Sequence, residues 1–472
     1  MAWGFTMNAT SGSQRRPNVI VFFTDQQRAD TTGLHGNPMG LTPNFDRMAS
    51  CGTHFANTFT CQPVCGPARA TLQTGKFASA TGVWSNAIPL ASDQPRLAAA
   101  FQGAGYATGY IGKWHLSEHE PVPRAEQIGY DYWMGSNVLE FTSDAYDLNL
   151  YDVEGRKHHV PGYRVDGLTD VAIRYVNDHR DDPFFLFLSY IEPHHQNHVD
   201  SYPAPTGYEQ AYGDPWVPPD LRALGGSAAR HLPGYYGMVR RLDEALGRLE
   251  DALRSLRLLD DTIILFISDH GNHFKTRNGE YKRSCHDASI KVPCFAAGPG
   301  FAGGGRVEEL FSIVDIPPTL LDAAGIASPE SMHGLSAMPL LEAPRTGAGR
   351  RAAGASWPDH VFVQISEAET GRAVRTHRWK YGVSHVDPGR PADRPSAEFA
   401  DSYTELYLYD LRHDPYELEN LVDRDSHTAV RERMRRLLLA RIEKVERRRP
   451  TIHEPTLISG GQRRVAAHEV AQ

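Results

Sequence analysis

Three stretches of the chain are apolar almost without a break, and each runs into residues able to do chemistry. Residues 18–25 (NVIVFFTD), 183–191 (PFFLFLSYI) and 262–268 (TIILFIS) lack the every-second-residue polarity of a half-exposed strand. Continuous runs of this length read as strands buried on both faces of a parallel sheet. In open α/β sheets, ligands gather outside the carboxyl ends of the strands. The first run closes on Asp25-Gln26, the second on Glu192-Pro193-His194-His195 and the third on Asp269-His270-Gly271. A shorter strand, 106–112, leads into Lys113-Trp114-His115. Each ending, taken singly, also suits a plain turn, cap or surface loop.

Elsewhere the period becomes helical. Met238, Leu242, Ala245, Leu246, Leu249, Leu253 and Leu256 predict an amphipathic packing helix over 236–256. Further helices are predicted at 95–105 and 168–179, and one begins at Thr42 with Pro43 in its first turn. Residues 129–164, rich in Asp, Tyr, Gly and His, carry little periodicity and predict a loop-rich insertion. A second long loop is predicted at 202–219. Substrate-selecting residues are expected in such loops, here about 129–164 and 196–233.

Around 340–358 the composition shifts to Ala, Gly, Arg and Pro, the mark of an inter-domain linker. Beyond it, 360–365, 372–376, 379–381 and 405–409 predict a small antiparallel sheet. Residues 427–447, free of Gly and Pro, predict a long basic helix with a solvated arginine face. The expected fold class is α/β. A large mixed, mostly parallel sheet sandwiched by helices is followed by a smaller C-terminal α+β domain on a short antiparallel sheet. The expected division is 1–345 and 346–472.

Composition narrows the function. A net charge of −8 over 472 residues argues against general nucleic-acid affinity, so an anionic ligand needs a local cationic pocket. No apolar run is long enough to span a bilayer. Residues 1–16 read as a disordered leader without an export signal, which makes a cytoplasmic location the expectation. Five cysteines, an odd number in a long chain, do not predict a disulfide framework.

One of those cysteines stands out. Cys65-Gly66-Pro67-Ala68-Arg69 places a thiol, a rigid turn former and a permanent cation within one short stretch. Pro67 fixes its own backbone, and the good helix formers at 68–72 put Cys65 at or just before a helix N-terminus, where negative charge is favoured. That suits a nucleophile handling an anion. By itself the stretch reads more readily as a small buried thiol in a turn.

Together, the motifs change that balance. Cys65-x-Pro67-x-Arg69 followed by Thr74-Gly75, with Gly112-Lys113-Trp114-His115, Ser268-Asp269-His270-Gly271 and LRHDPYELEN at 411–420, resembles the type I sulfatases of the alkaline-phosphatase-like superfamily. Cys61 competes with Cys65, but only Cys65 has both Pro67 and Arg69 in register. The resemblance runs over nearly the whole chain.

The resemblance implies that Cys65 is converted to formylglycine by a maturation enzyme, and that the hydrated aldehyde is the nucleophile. It implies one divalent metal, Ca²⁺ or Mn²⁺, held by Asp25, Gln26, Asp269, His270 and position 65. Arg69 and Lys113 then stabilise the ionised nucleophile, and His115 takes a proton from its second hydroxyl. His194 and Lys282 contact the sulfate and the leaving oxygen, and His195 and His286 face substrate. The implied reaction is hydrolysis of a sulfate monoester on a sulfated carbohydrate or a small polar or aryl alcohol. Gln26 and His270 depart from the commonest sulfatase pattern, raise Mn²⁺ against Ca²⁺, and occur in members acting on phosphonate monoesters and phosphodiesters. Two alternatives therefore stand: such a hydrolase on the same scaffold, or a catalytically silent binding protein. The residues leave open whether the chain forms a homo-oligomer.

Overall fold

The computed structural model describes residues 16–86, 88–303, 305–342, 357–385 and 397–455. Nearly all of the expected leader, and most of the expected linker at 340–358, lie outside them.

Ten strands form one sheet. Its centre is five parallel strands in the order Thr262–Ser268, Asn18–Thr24, Phe184–Ser189, Ala107–Lys113 and Tyr132–Ser136. The three continuous apolar runs thus lie side by side. In the Asn18–Thr24 strand, Val19, Val21 and Phe23 enter one core cluster while Ile20 and Phe22 enter another. That alternation explains the unbroken hydrophobicity, because both faces are covered. Helices Arg164–Asp178 and Ala228–Ser255 cover the Ile20 face with Val165, Leu168, Leu242 and Leu246. Helices Cys65–Thr74, Leu97–Gly103 and Ile316–Ala323 cover the other with Ala68, Leu72, Phe101 and Leu320. Full burial of one such side chain contributes about 1.5–3 kcal/mol, so the polar residues just past these strands stand on a stiff base.

Two elements differ from the sequence expectation for local reasons. The long helix begins at Ala228, not near 236, because Pro233 and Gly234 lie inside its first turns and break the hydrophobic pattern. The 129–164 insertion is not only loop. Leu148–Asp152 and Lys157–Val160 pair antiparallel and extend the sheet edge beyond Tyr132–Ser136. These strands are short and, past Leu150, mostly half-buried or exposed, so their sequence carries no strong apolar alternation.

The C-terminal sheet has five strands: His360–Ile365, Thr370–Thr376, Trp379–His385 and Ser402–Asp410 are antiparallel, and Thr451–His453 joins the last in parallel. Helix Thr428–Glu446 lies on it through Met434, Leu438 and Ile442. Its arginines do not all face water as expected. Arg431 and Arg435 pair with the buried Glu405 at 3.1 and 2.8 Å, because a carboxylate inside the sheet needs cations beside it.

The C-terminal sheet meets the preceding part of the chain at Lys380. Its ammonium is fully buried and lies 2.5 Å from both Asp287 and Glu417. Glu417 belongs to the 411–420 motif, whose Tyr416 and Glu417 carbonyls accept from Arg277 at 2.9 and 3.0 Å. The motif therefore fastens the C-terminal sheet to the segment that follows strand Thr262–Ser268. All five cysteines are free thiols. Among the described residues, no helix is long and apolar enough to cross a membrane.

Candidate active site

Four adjacent parallel strands deliver the site. Asp25 follows Thr24, Asp269 and His270 follow Ser268, Lys113 ends its own strand, and Glu192 to His195 lie just past Ser189. In register, Thr24 pairs with Ser268, Phe23 with Ser189 and Gly112 with Ser189, so these ends sit at one level of the sheet. Gly112 has φ +105°, and a Cβ there would lie 1.9 Å from the Ser189 carbonyl oxygen. Only glycine permits that approach, which seats Lys113 against the neighbouring strand end.

Cys65 is the first residue of helix Cys65–Thr74, which ends on Gly75 in the left-handed region. Its Sγ accepts from Lys282 Nζ at 2.8 Å and lies 3.3 Å from His270 Nε2 and 3.6 Å from Asp25 Oδ1. Burial alone would raise this thiol. Lys113, Lys282, His270 and the His115 ring outweigh burial and hold it well below its ordinary value. The other buried cysteines go the opposite way; burial pushes the Cys61 thiol up to about 12.

Asp25 Oδ2 accepts from Arg69 Nη2 at 2.8 Å and from Lys113 Nζ at 2.9 Å. Burial and Cys65 push its carboxyl up, but Lys113, His194 and Arg69 hold it below the usual range. Asp269 moves the other way, raised by burial and then by Asp25. Its Oδ1 accepts from the backbone N–H groups of Gln26 and His270 at 3.0 and 2.8 Å, while Oδ2 is buried with no hydrogen-bond partner. Two buried carboxylates share the pocket; Asp25 has two cations within 2.9 Å, whereas the nearest cation to Asp269 Oδ2, Arg69 Nε, is 3.8 Å away.

That imbalance fits a metal. Asp25, Cys65, Asp269 and His270 offer ligand atoms within 4.8 Å of one another, all buried. His270 Nδ1 donates to the Gly271 carbonyl at 2.9 Å, which leaves the Nε2 lone pair facing both carboxylates. A divalent ion would take Asp269 Oδ2, which has no hydrogen-bond partner, and this lone pair, which here faces the Lys282 ammonium at 3.1 Å. Gln26, at φ +66°, stands beside them, with its Oε1 accepting from the His195 N–H at 2.9 Å.

The cationic side is equally built. Lys282 Nζ also lies 3.2 Å from His194 Nε2. His194 Nδ1 donates to the His195 carbonyl at 2.6 Å, so Nε2 is the acceptor for the ammonium. Burial and Lys282 hold His194 below its ordinary value, which keeps the ring neutral. His115, at φ +61°, is anchored by its backbone N–H on the Asn137 carbonyl, and its Nδ1 is buried without a partner.

The family model for sulfatases matches residues 17–326, and one described as N-sulphoglucosamine sulphohydrolase, C-terminal, matches 279–444. The chain belongs to the type I sulfatases of the alkaline-phosphatase-like superfamily. The ulvan-active sulfatase of Formosa agariphila is 29% identical over 86% of this chain and 77% of its own. The N-acetylglucosamine-6-O-sulfatase of Bacteroides thetaiotaomicron is 25% identical over 97% of this chain and 91% of its own. A protein solved with its substrate D-glucosamine-2-N,6-O-disulfate shares the fold, with a TM-score of 0.74 and 24% identity over 92% of this chain and 99% of that one. The protein is thus a sulfatase enzyme.

Within this sulfatase some expected residues are not brought to Cys65. His286 is buried, with Nε2 3.1 Å from the Tyr409 hydroxyl and Nδ1 3.2 Å from Ser284 Oγ. Both ring nitrogens are engaged under the C-terminal sheet. His195 turns from the pocket toward Asp200 and Tyr281. Arg69 reaches the site through Asp25, the Lys113 carbonyl and Ser189 Oγ. One buried residue escaped sequence reasoning: Glu140, whose Oε1 is 3.0 Å from Lys113 Nζ. Its carboxyl is raised by burial, then lowered by Lys113, His115 and His194 to about 2. No local pattern marks it, because it is a lone acid in an aperiodic insertion.

Proposed function

We propose that this sulfatase hydrolyses a sulfate monoester borne by a carbohydrate, with position 65 as the nucleophilic centre. The observation carrying the reading is Lys282 Nζ at 2.8 Å from Cys65 Sγ, inside the ring of strand-end groups. The carbohydrate class is supported by relatives named for ulvan and N-acetylglucosamine-6-O-sulfate.

Formylglycine made from Cys65 would supply two geminal hydroxyls, one as the nucleophile toward sulfur and one whose ionisation would let sulfate leave. A divalent ion held by Asp25, Asp269, His270 and position 65, with Gln26 beside them, supplies a positive charge that favours the ionised nucleophile. The imidazole among its ligands favours Mn²⁺ over Ca²⁺. Lys113 and Arg69 neutralise Asp25 and keep the pocket positive toward an incoming sulfate. Lys282 faces the same sulfur-bearing position and stabilises charge on the sulfate oxygens. Lys282 and the neutral His194 hold one proton between them, and that pair delivers it to the departing alcohol oxygen. His115 takes a proton from position 65. Glu140 holds the Lys113 ammonium together with Asp25.

A second reading, hydrolysis of phosphonate monoesters or phosphodiesters, is favoured by His270 among the ligand-forming groups and by Gln26 in place of an acid. Turnover of an aryl sulfate against a phenyl phosphonate ester separates the two. The sulfatase reading requires the sulfate to be preferred, and preference for the phosphonate overturns it.

A further inference from the structure

We propose that His195, Asp200 and His231 form a second divalent-metal site, suited to Zn²⁺ and separate from the ring around Cys65. The three residues offer ligand atoms within 4.8 Å of one another. They come from two segments: His195 and Asp200 from the stretch after strand Phe184–Ser189, and His231 from the first turn of helix Ala228–Ser255.

Hydrogen bonding leaves this cluster short of protons. His195 Nδ1 lies 3.2 Å from Asn197 Oδ1 and donates to it, so Nε2 carries a lone pair. That lone pair faces Asp200 Oδ1 at 3.0 Å, which is also only an acceptor. The Tyr281 hydroxyl is 3.2 Å from Nε2 and 3.1 Å from Oδ1, but its single proton serves one of them. His231 is 5% exposed, its Nδ1 lies 3.2 Å from Ser227 Oγ, and its Nε2 is buried with no partner. Both rings therefore have Nδ1 held by an oxygen and Nε2 on offer, the arrangement that outer hydrogen bonds impose on zinc-bound histidines. Two imidazoles and one carboxylate suit Zn²⁺ and leave a fourth position open.

The surroundings support a built site. Arg230 Nη1 binds the other Asp200 oxygen at 2.9 Å and fixes the carboxylate. The Asp200 side chain is 35% exposed, which gives an ion a way in. The cluster also touches the catalytic ring, since His195 N–H binds Gln26 and Tyr281 precedes Lys282. Occupancy fixes both segments that present His194 and Lys282.

The test is Co²⁺ titration of the metal-stripped full chain, read by bound equivalents and by the visible bands of low-coordinate Co²⁺. Wild type is expected to bind one equivalent beyond the catalytic one. His231→Ala and Asp200→Asn each lose that equivalent and keep the other, whereas Asp269→Asn loses the catalytic equivalent and keeps this one. Asp200→Asn, on a partly exposed loop, carries the test should His231→Ala not fold. Both variants binding as wild type does, or a single wild-type equivalent abolished by Asp269→Asn, overturns the site. An unchanged count in Asp269→Asn with a lowered one in Asp200→Asn sinks the catalytic metal reading and leaves this one standing.

Discussion

Glu140 Oε1 and Lys113 Nζ are 3.0 Å apart, and the same ammonium lies 2.9 Å from Asp25 Oδ2. Lys113 is therefore clamped between two carboxylates, one from the first strand end and one from the insertion. Glu140→Gln replaces one charge-assisted contact, worth about 1.5–3 kcal/mol, by a weaker neutral one. The expected result is a kcat lowered by about tenfold or more with a lower melting temperature. Steady-state kinetics check it, and a wild-type kcat in a folded Glu140→Gln protein contradicts the clamp.

Lys282 touches position 65, His194 and His270 at once. Its loss in Lys282→Ala is expected to lower kcat by about 10²–10³, the usual cost of removing one transition-state charge stabiliser. Lys282→Arg is not expected to rescue, because a planar fork does not replace a compact ammonium in a pocket this tight. Recovery by arginine to near wild-type turnover counts against the assignment.

Much of this was legible in the sequence. The three apolar runs became adjacent strands because burial on both faces leaves an unbroken signature, and each chemical group followed where its run stopped. Cys65 stood out by its own motif, and Lys282 entered only through the family resemblance. Glu140 was not, because its position depends on the parallel pairing of Tyr132–Ser136 with Ala107–Lys113, with Ser136 opposite Lys113. A long-range register leaves no mark in a window of neighbouring residues. His286 was misplaced toward substrate for a related reason: only the packing of Tyr407 and Tyr409 against its ring shows that it lies beneath the second sheet.

The junction at Lys380 predicts a stability effect. Lys380→Met takes the ammonium from the buried Glu417 and leaves the half-buried Asp287 to Arg375 at 3.2 Å. Breaking a buried pair in this way costs about 3–5 kcal/mol. A large drop in the urea midpoint is expected, and a shift within error contradicts the proposed fastening role.

Asp315 predicts a pH dependence remote from the site. Burial pushes its folded carboxyl up to about 7, against 3.8 as the ordinary value. Between those values the folded state keeps a proton that the unfolded state releases, so stability falls as pH rises through the window. Asp315→Asn is expected to flatten the melting-temperature profile between about pH 4 and 7, where both carboxyl states interchange. An unchanged slope rejects the assignment.

The most direct measurement follows sulfate release from a sulfated saccharide while mass spectrometry quantifies aldehyde at position 65 in the same preparations. Turnover is expected to rise in proportion to the converted fraction and to vanish in Cys65→Ala. Fully converted, metal-loaded protein that releases no sulfate from any sulfate ester, or equal turnover with an intact thiol, contradicts the account.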